Sequence, residues 1–463
     1  MPAKYHIKTR LAPPVHKRIG KYGIVDWRED CSSCRNCVKK ECAYDVYANE
    51  RDRLKGAVEY VDYLYECKGC LCCVQSCTKG LLSSRINPEF LQLGDEVWTA
   101  DIISTTWFQA ETGHIPVSGA GYPGPFRGPG FDSILTDMSE IVRPTRDGIH
   151  GREYISTQVD IGRKPMSLSF NPDGTLASAC PPVLEVPLPI IFNTLSWHNP
   201  GPAVATAILD AAAELETFAV TDDQLFINHP SAAPRVSGPR TPHASRLRLA
   251  EWRDAPDVVE RITEAKGANP KLVAMVKLPF GPGAVERALA LCDSGVDALH
   301  VYADWHGLVA DNGRSRHITT AVRELHRALV SARKRDEVTI VASGGISMAE
   351  HVAKTMLCGA DLVAIDVPLM IALECRVCMN CRRGITCPVG IRDTEHDYAV
   401  QRIVNLMGAW HSQLLEMMGA MGIRDARRLR GEAGRAMFFD DLERECFGPI
   451  FGQRRAPAET GVA

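Results

Sequence analysis

The chain has no apolar run near the roughly 18–20 residues that a membrane-spanning helix requires. It also lacks a charge imbalance. Its 53 lysines and arginines stand against 56 aspartates and glutamates, giving a net charge of −3, with both signs spread along the sequence. That distribution offers nucleic acid no basic stripe. No low-complexity tract is present, and the only internal repeat is one of cysteine spacing. Met1-Pro2-Ala3-Lys4 opens a polar segment without a secretory signal. A reducing cytoplasmic setting is therefore expected, and structural disulfides are not. The 463 residues leave room for about three domains and a large core. Proline and glycine punctuate 119–130 and 230–242, which read as loops.

Against these absences stand 17 cysteines, twelve of them in three runs. Cys31, Cys34 and Cys37 are followed by Cys42. Cys67, Cys70 and Cys73 repeat the spacing and are followed by Cys77. Cys375, Cys378, Cys381 and Cys387 form the third run, ending in Cys387-Pro388. Thiolates two residues apart on a tight turn can face successive irons of one cubane, and a fourth closes the cage. Structural zinc is the bland alternative, but a zinc knuckle needs only two close cysteines per half-site.

The first two runs resemble a bacterial two-cluster ferredoxin module, where the fourth cysteine of each run ligates the other cluster. That resemblance implies one [4Fe–4S] cluster on Cys31, Cys34, Cys37 and Cys77, and a second on Cys67, Cys70, Cys73 and Cys42. Ala43 stands where proline is usual, and Cys72 is a spare beside Cys73. Cys180, Cys292, Cys358 and Cys446 are isolated and read as core residues.

The middle of the chain alternates apolar strands with helical patterns. Strands are expected at 189–192, 272–276, 295–301, 338–342 and 360–365, and helices at 203–218, 284–294, 318–334 and 349–357. Continuous apolar strands joined by helices imply a parallel sheet covered on both faces, either a (β/α) barrel or a doubly wound sheet. Ser343-Gly344-Gly345 at a strand end has the pattern of a phosphate cradle, and equally of a tight βα turn.

At this point the chain resembles the archaeal-type glutamate synthase family, in which a ferredoxin module precedes an FMN-binding barrel. The residues that carry the resemblance, besides the cysteine runs, are Gln109-Ala110-Glu111-Thr112-Gly113, Arg143-Pro144-Thr145-Arg146-Asp147, Gly162-Arg163-Lys164-Pro165, Val276-Lys277-Leu278 and Ser343-Gly344-Gly345. Leu369-Met370-Ile371-Ala372-Leu373 leading into Cys375, Cys387-Pro388-Val389-Gly390-Ile391 and Arg402-Ile403-Val404-Asn405-Leu406 belong to it as well. It implies an α/β fold, a shortened (β/α)8-type FMN-binding barrel behind the two-cluster module. The expected divisions are 1–90 for the module, 91–182 for a wrapping segment, 183–374 for the barrel, and 375–463 for a third cluster and C-terminal helices. A [4Fe–4S] cluster is expected on the third run, with [3Fe–4S] as the alternative. FMN would contact Leu195, Ser196, Lys277, Ser343, Gly344, Gly345, Asp366 and Val367. Lys277 would hold a positive charge at the flavin N1–C2 edge, the catalytic role assigned to it.

The departures matter as much. Leu195-Ser196-Trp197-His198, Ala219-Val220-Thr221-Asp222-Asp223 and Tyr302-Ala303-Asp304-Trp305-His306-Gly307 replace family loops, and a glycine-rich loop has no counterpart. Asp366-Val367 replaces a Gly-Thr pair that faces the FMN phosphate. A carboxylate about 4 Å from a phosphate charge costs roughly 4 kcal/mol at an effective dielectric of 20. The stretch from Val183 to Met370 is short against the usual ~250 residues of a complete barrel. His198, His300 and His306 fall near strand ends and are candidate proton donors. Two functions are expected from this. One is an iron–sulfur flavin oxidoreductase acting on an imine or oxo acid. The other is a flavin-free electron-transfer subunit. Either needs an electron-donor protein or reductase subunit and, for ammonia, a separate glutaminase-like partner within an oligomeric complex.

Overall fold

In the computed structural model the described residues are 5–23, 67, 69–116, 130–138, 154–177, 180–194, 200–222, 226–237, 243–311 and 314–452. Eight parallel strands close into a barrel: β1 (Ile190–Phe192), β2 (Ala219–Thr221), β3 (Ala232–Val236), β4 (Leu249–Arg253), β5 (Val273–Pro279), β6 (Ala298–Tyr302), β7 (Thr339–Ser343) and β8 (Leu362–Ile365). The ring closes where β8 pairs with β1, Val363 opposite Ile190 and Ile365 opposite Phe192. A closed ring rules out the doubly wound alternative. Strands such as Thr339–Ser343 and Leu362–Ile365 are buried throughout, because helices cover the outside and side chains fill the inside.

Eight strands fit into so short a stretch because some connections dispense with a helix. Helix α2 (Pro202–Glu214) follows β1. The link from β2 to β3 is only 222–231, with no helix among its described residues. The link from β3 to β4 holds one turn of 3-10 helix, Ala244–Arg246. Full helices return as α3 (Val258–Ala268), α4 (Ala284–Asp293), α5 (Ile318–Ser331) and α6 (Ala349–Leu357). In α5 the His317 side chain accepts from the Thr319 N–H and caps the start. Ile318, Ala321, Val322, Leu325 and Leu329 then recur at helical spacing and form the buried stripe. After β8 comes the short helix α7 (Val367–Ala372), then the cysteine loop, then α8 (His396–Ala420).

The flanking segments seal the two ends of the barrel. A two-stranded ladder, Val159–Gly162 against Val183–Val186, lies at the N-terminal end, where the Gly162 N–H donates to Thr339 Oγ1 at 3.0 Å. Arg163 reaches the carbonyls of Cys292 and Val296 there. The segment Gly162-Arg163-Lys164-Pro165 is thus a bottom plug, far in function from the chemistry at the top.

Helix Ala100–Thr112 packs along α8, and two of the resemblance motifs meet in that contact. Asn405 Nδ2 donates to the carbonyls of Ala110 (2.9 Å) and Arg10 (2.7 Å), and Trp410 Nε1 donates to Gln109 Oε1 (3.2 Å). Arg402 is wholly buried, and its guanidinium donates to the carbonyls of Ala12, Trp107 and Ala372. A buried guanidinium must be met by acceptors. Here the acceptors come from the N-terminal segment, the wrapping helix and the end of α7, so one residue ties the three together. At the front of the chain Tyr22 pairs with Ile86 and Gly23 with Arg85. That antiparallel ladder brings 22–23 beside 85–86; the first cysteine run falls between them in sequence, outside the described residues.

Candidate functional site: the barrel mouth and an adjacent four-thiol cavity

Every strand delivers a polar side chain to its C-terminal half, the end where barrels of this kind carry their sites. Arg235 is on β3, Glu251 on β4, Lys277 on β5, His300 on β6 and Ser343 on β7. Asn193, Thr194, Asp222 and Asp366 follow β1, β2 and β8. Several of these touch across an intervening strand, which is possible only inside the ring. Glu251 meets His300 past β5, and Arg235 reaches Asn193 (3.1 Å) and Thr194 (2.8 Å) past β2.

The contacts form one chain. Arg235 donates to Glu251 and, at 2.9 and 3.0 Å, to the Asp222 carboxylate. Glu251 accepts from His300 Nδ1, and His300 Nε2 accepts from Ser343 Oγ at 2.8 Å. Glu251, His300 and Ser343 are all buried. Burial works to raise Glu251, but contact with His300, then the charges of Arg235 and Lys277, hold it down at about 2. Burial keeps His300 below its usual range despite the carboxylate, so the imidazole is neutral with its proton on Nδ1. The Ser343 hydroxyl proton therefore points at His300.

Lys277 is set differently. Its ammonium lies 4.8 Å from the centre of the Tyr302 ring, a cation–π distance. Burial lowers its pKa, and Arg235 adds to that, while Glu251, Asp366 and Asp222 oppose. The amine sits at the mouth among three carboxylates. Asp366 caps α7, its Oδ1 accepting from the Val367 N–H at 2.7 Å. Burial raises the Asp366 carboxyl to about 6, against the pull of that N–H and of Lys277.

The Gly344-Gly345 turn is buried, with φ of 112° and 68°. A Cβ on Gly344 would lie 2.6 Å from the Asp304 carbonyl oxygen, and one on Gly345 2.7 Å from Gly307 Cα. The loop 303–307 therefore packs directly on the turn. Trp98 Nε1 donates to the Trp305 carbonyl (2.9 Å), and His306 Nε2 lies 2.9 Å from Asp95 Oδ2, fastening that loop from outside.

On the other side of α7, Cys375, Cys378, Cys381 and Cys387 line one cavity, together with Val367 and Met370 of α7. The backbone here takes left-handed conformations at Glu374, Val377 and Met379 (φ 69°, 50° and 57°). Such positions are uncommon outside glycine and cluster where a site demands a particular turn. The second run shows the same device. Leu71 after Cys70 has φ 61° and begins the helical turn Cys72–Gln75, which carries Cys73. Met379 after Cys378 begins the turn Asn380–Arg383, which carries Cys381. In each run a backbone N–H lies on a thiol sulfur: Val377 on Cys375 (3.4 Å) and Leu81 on Cys77 (3.3 Å). Burial pushes the Cys375 thiol up to about 12, and Cys378, Cys387 and Cys381 lie near enough to add to it. Among the described residues no three Cys, His, Asp or Glu side chains converge as a single ion would need. A cubane makes a different demand, since its ligands face four corners rather than one point.

Of the residues singled out from sequence, Lys277, Ser343, Gly344, Gly345, Asp366 and Val367 come together at the mouth, and His300 lies beneath them. His306 lies outside the barrel on Asp95. Leu195, Ser196 and His198 lie outside the described residues, as do Cys31, Cys34, Cys37, Cys42 and the 143–147 motif. Arg235 and Glu251 escaped the sequence reading. Arg235 fell within 230–242, expected to be a loop because of its prolines but in fact holding the strand Ala232–Val236, and Glu251 fell in no expected element.

The fold and this mouth define an oxidoreductase-type (β/α)8 barrel. A conserved region in glutamate synthase matches residues 227–424. The archaeal glutamate synthase [NADPH] of Archaeoglobus fulgidus is 24% identical over 92% of this chain and 96% of its own length. The archaeal-type enzyme of Dehalococcoides mccartyi is 25% identical over 88% and 93%. That of Methanocaldococcus jannaschii is 24% identical over 90% and 94%. Among solved structures a flavocytochrome b2 variant with sulfite bound aligns at TM-score 0.39 and 12% identity, over 72% of this chain and 84% of that one. Over about nine-tenths of its length the chain is thus similar to archaeal-type glutamate synthases, from which it has diverged to 24–25% identity.

Proposed function

We propose that the chain is an iron–sulfur oxidoreductase in which the third cysteine run holds a cluster that exchanges electrons with a flavin ring at the barrel mouth. The observation that carries this is the position of α7. Its first turn starts at Asp366 in the mouth, and its Val367 and Met370 line the four-thiol cavity. One short helix thus separates the two redox positions. The four-thiol cavity fits a four-iron cluster in donor type and number, and the N–H contact to Cys375 Sγ is of the kind that tunes such clusters. When bound, a flavin supplies the exchange between one-electron and two-electron steps. Lys277 fits the ring end of a flavin, as a cation at the open edge of the mouth. The substrate is proposed to be an imine or oxo acid. The relatives named above are glutamate synthases, and the loops that replace the family's substrate loops argue for an altered one. The ferredoxin-type module would feed electrons from a donor protein, and ammonia would come from a partner subunit.

A second reading is an electron-transfer subunit without flavin, and the buried Gly344-Gly345 turn is the observation that favours it. Anaerobic reconstitution with iron and sulfide, with flavin released by acid and counted per chain, separates the two. One flavin per chain supports the first reading, and none the second. Neither reading requires the parent reaction, and the chain alone is expected to form little glutamate from 2-oxoglutarate and glutamine.

A further inference from the structure

We infer that the mouth holds its flavin by the ring and does not recognise the phosphate, so that riboflavin and FMN are equivalent ligands. This rests on the flavin reading of the mouth proposed above and deepens it. Of the groups that could meet a phosphate at the ends of β7 and β8, the Ser343 hydroxyl and the Val367 N–H are already engaged within the chain, and the Gly344-Gly345 turn is covered. At β7, Ser343 Oγ is bonded to His300 Nε2 at 2.8 Å. The two glycines beyond it are buried under the loop 303–307, which comes within 2.6–2.7 Å of where their Cβ atoms would stand. That loop is not free to lift, because Trp98 and His306–Asp95 fasten it to the wrapping segment. At β8 the Val367 N–H donates to the Asp366 carboxylate at 2.7 Å, and residue 368 is proline, which has no N–H to offer.

A phosphate at this place would have to displace a carboxylate of its own sign, and no cation is supplied in exchange. Arg235 is occupied by Glu251, Asp222, Asn193 and Thr194. Lys277 is at the ring end, and its charge serves a flavin with or without a phosphate. The ligand class that fits is an isoalloxazine whose side chain carries no anion, or whose anion is left in solvent.

The test is a titration of the full-length, anaerobically reconstituted chain with FMN and with riboflavin, each followed by quenching of flavin fluorescence. The two dissociation constants are expected to agree within about threefold. Asp366→Asn keeps an acceptor for the Val367 N–H and removes the charge, and Asp366→Gly removes both. Asp366→Asn should leave both flavins within about threefold of the unaltered chain, whereas Asp366→Gly, which frees the Val367 N–H, should tighten FMN by at least about tenfold and leave riboflavin within a factor of two. FMN binding a hundredfold tighter than riboflavin to the unaltered chain would overturn this inference and leave the flavin reading standing. Failure of both flavins to bind, with the iron content intact, would overturn both together.

Discussion

Asp366 shows what one residue does to a site. Its carboxyl is raised from 3.8 to about 6 by burial, so the folded chain disfavours the ionised form. Well below 3.8 the group is protonated whether folded or not, and its effect is nil. Between 3.8 and about 6 the unfolded chain ionises it while the folded chain does not, so the cost grows across that window and is complete above it. Two units at 1.36 kcal/mol each give a limit of about 3 kcal/mol. Asp366→Asn should therefore stabilise the chain near pH 8, and that gain should largely vanish by pH 4. Urea unfolding at both values measures it, and an equal gain at the two would show that the charge is not the cause. Glu251 has the opposite sign. Held near 2 from a usual 4.5, its ionised form contributes stability above pH 4.5 that is lost as pH falls through 2. Glu251→Ala leaves Arg235 buried without one of its two carboxylate partners, and should cost about 3–5 kcal/mol at neutral pH. A loss under 1 kcal/mol would mean that the interior network relaxes, or admits water, without it.

At the scale of elements, sequence periodicity found the strands that are mostly apolar and missed three others, among them the two that carry Arg235 and Glu251. The helix 349–357 falls on α6 as expected, and the strand at 360–365 overlaps Leu362–Ile365. The second half of the barrel was legible because its strands are continuous apolar runs. Strands β2, β3 and β4 were not, for physical reasons. The first has three residues, β3 contains Pro234 and Arg235, and β4 contains Glu251. Inward-pointing polar residues that meet each other only in three dimensions look, in one dimension, like the end of a strand. The shortness of the barrel stretch was visible in the sequence, but its cause, connections at 222–231 and 237–248 with no α-helix among their described residues, needed the fold. Half of the candidate site was legible through motif and resemblance, namely Lys277, Ser343 and Asp366. The covering of Gly344-Gly345 by 303–307 was not, because it depends on a contact between loops forty residues apart. Helix α8 yields a further expectation. Arg402 joins the N-terminal segment to the wrapping helix and to α7, so Arg402→Met should release the segment before Ile19 while the barrel stays folded. Limited proteolysis should then cut there several-fold faster than in the unaltered chain, with the far-UV spectrum preserved. An unchanged cleavage rate would show that Asn405 and Arg10 suffice to hold it.

For the whole molecule, the proposed function orders redox positions along one chain. The ladder at Tyr22–Gly23 and Arg85–Ile86 joins two ends of the cysteine-rich front, Ala100–Thr112 packs on α8, and α7 stands between the third cysteine run and the mouth. No described helix is long and apolar enough to cross a membrane. Twelve clustered cysteines in three sets of four predict about twelve irons per chain after anaerobic reconstitution, and zinc in their place would remove the redox account. The claim on which the rest depends is that Cys375, Cys378, Cys381 and Cys387 hold a cluster beside the mouth. The direct measurement is iron per chain, with paramagnetic resonance of the dithionite-reduced protein, for the unaltered chain and for a variant with Ser at all four positions. The account predicts that the variant loses about four irons and one set of resonances, with barrel circular dichroism unchanged. Equal iron content in the two proteins would contradict it.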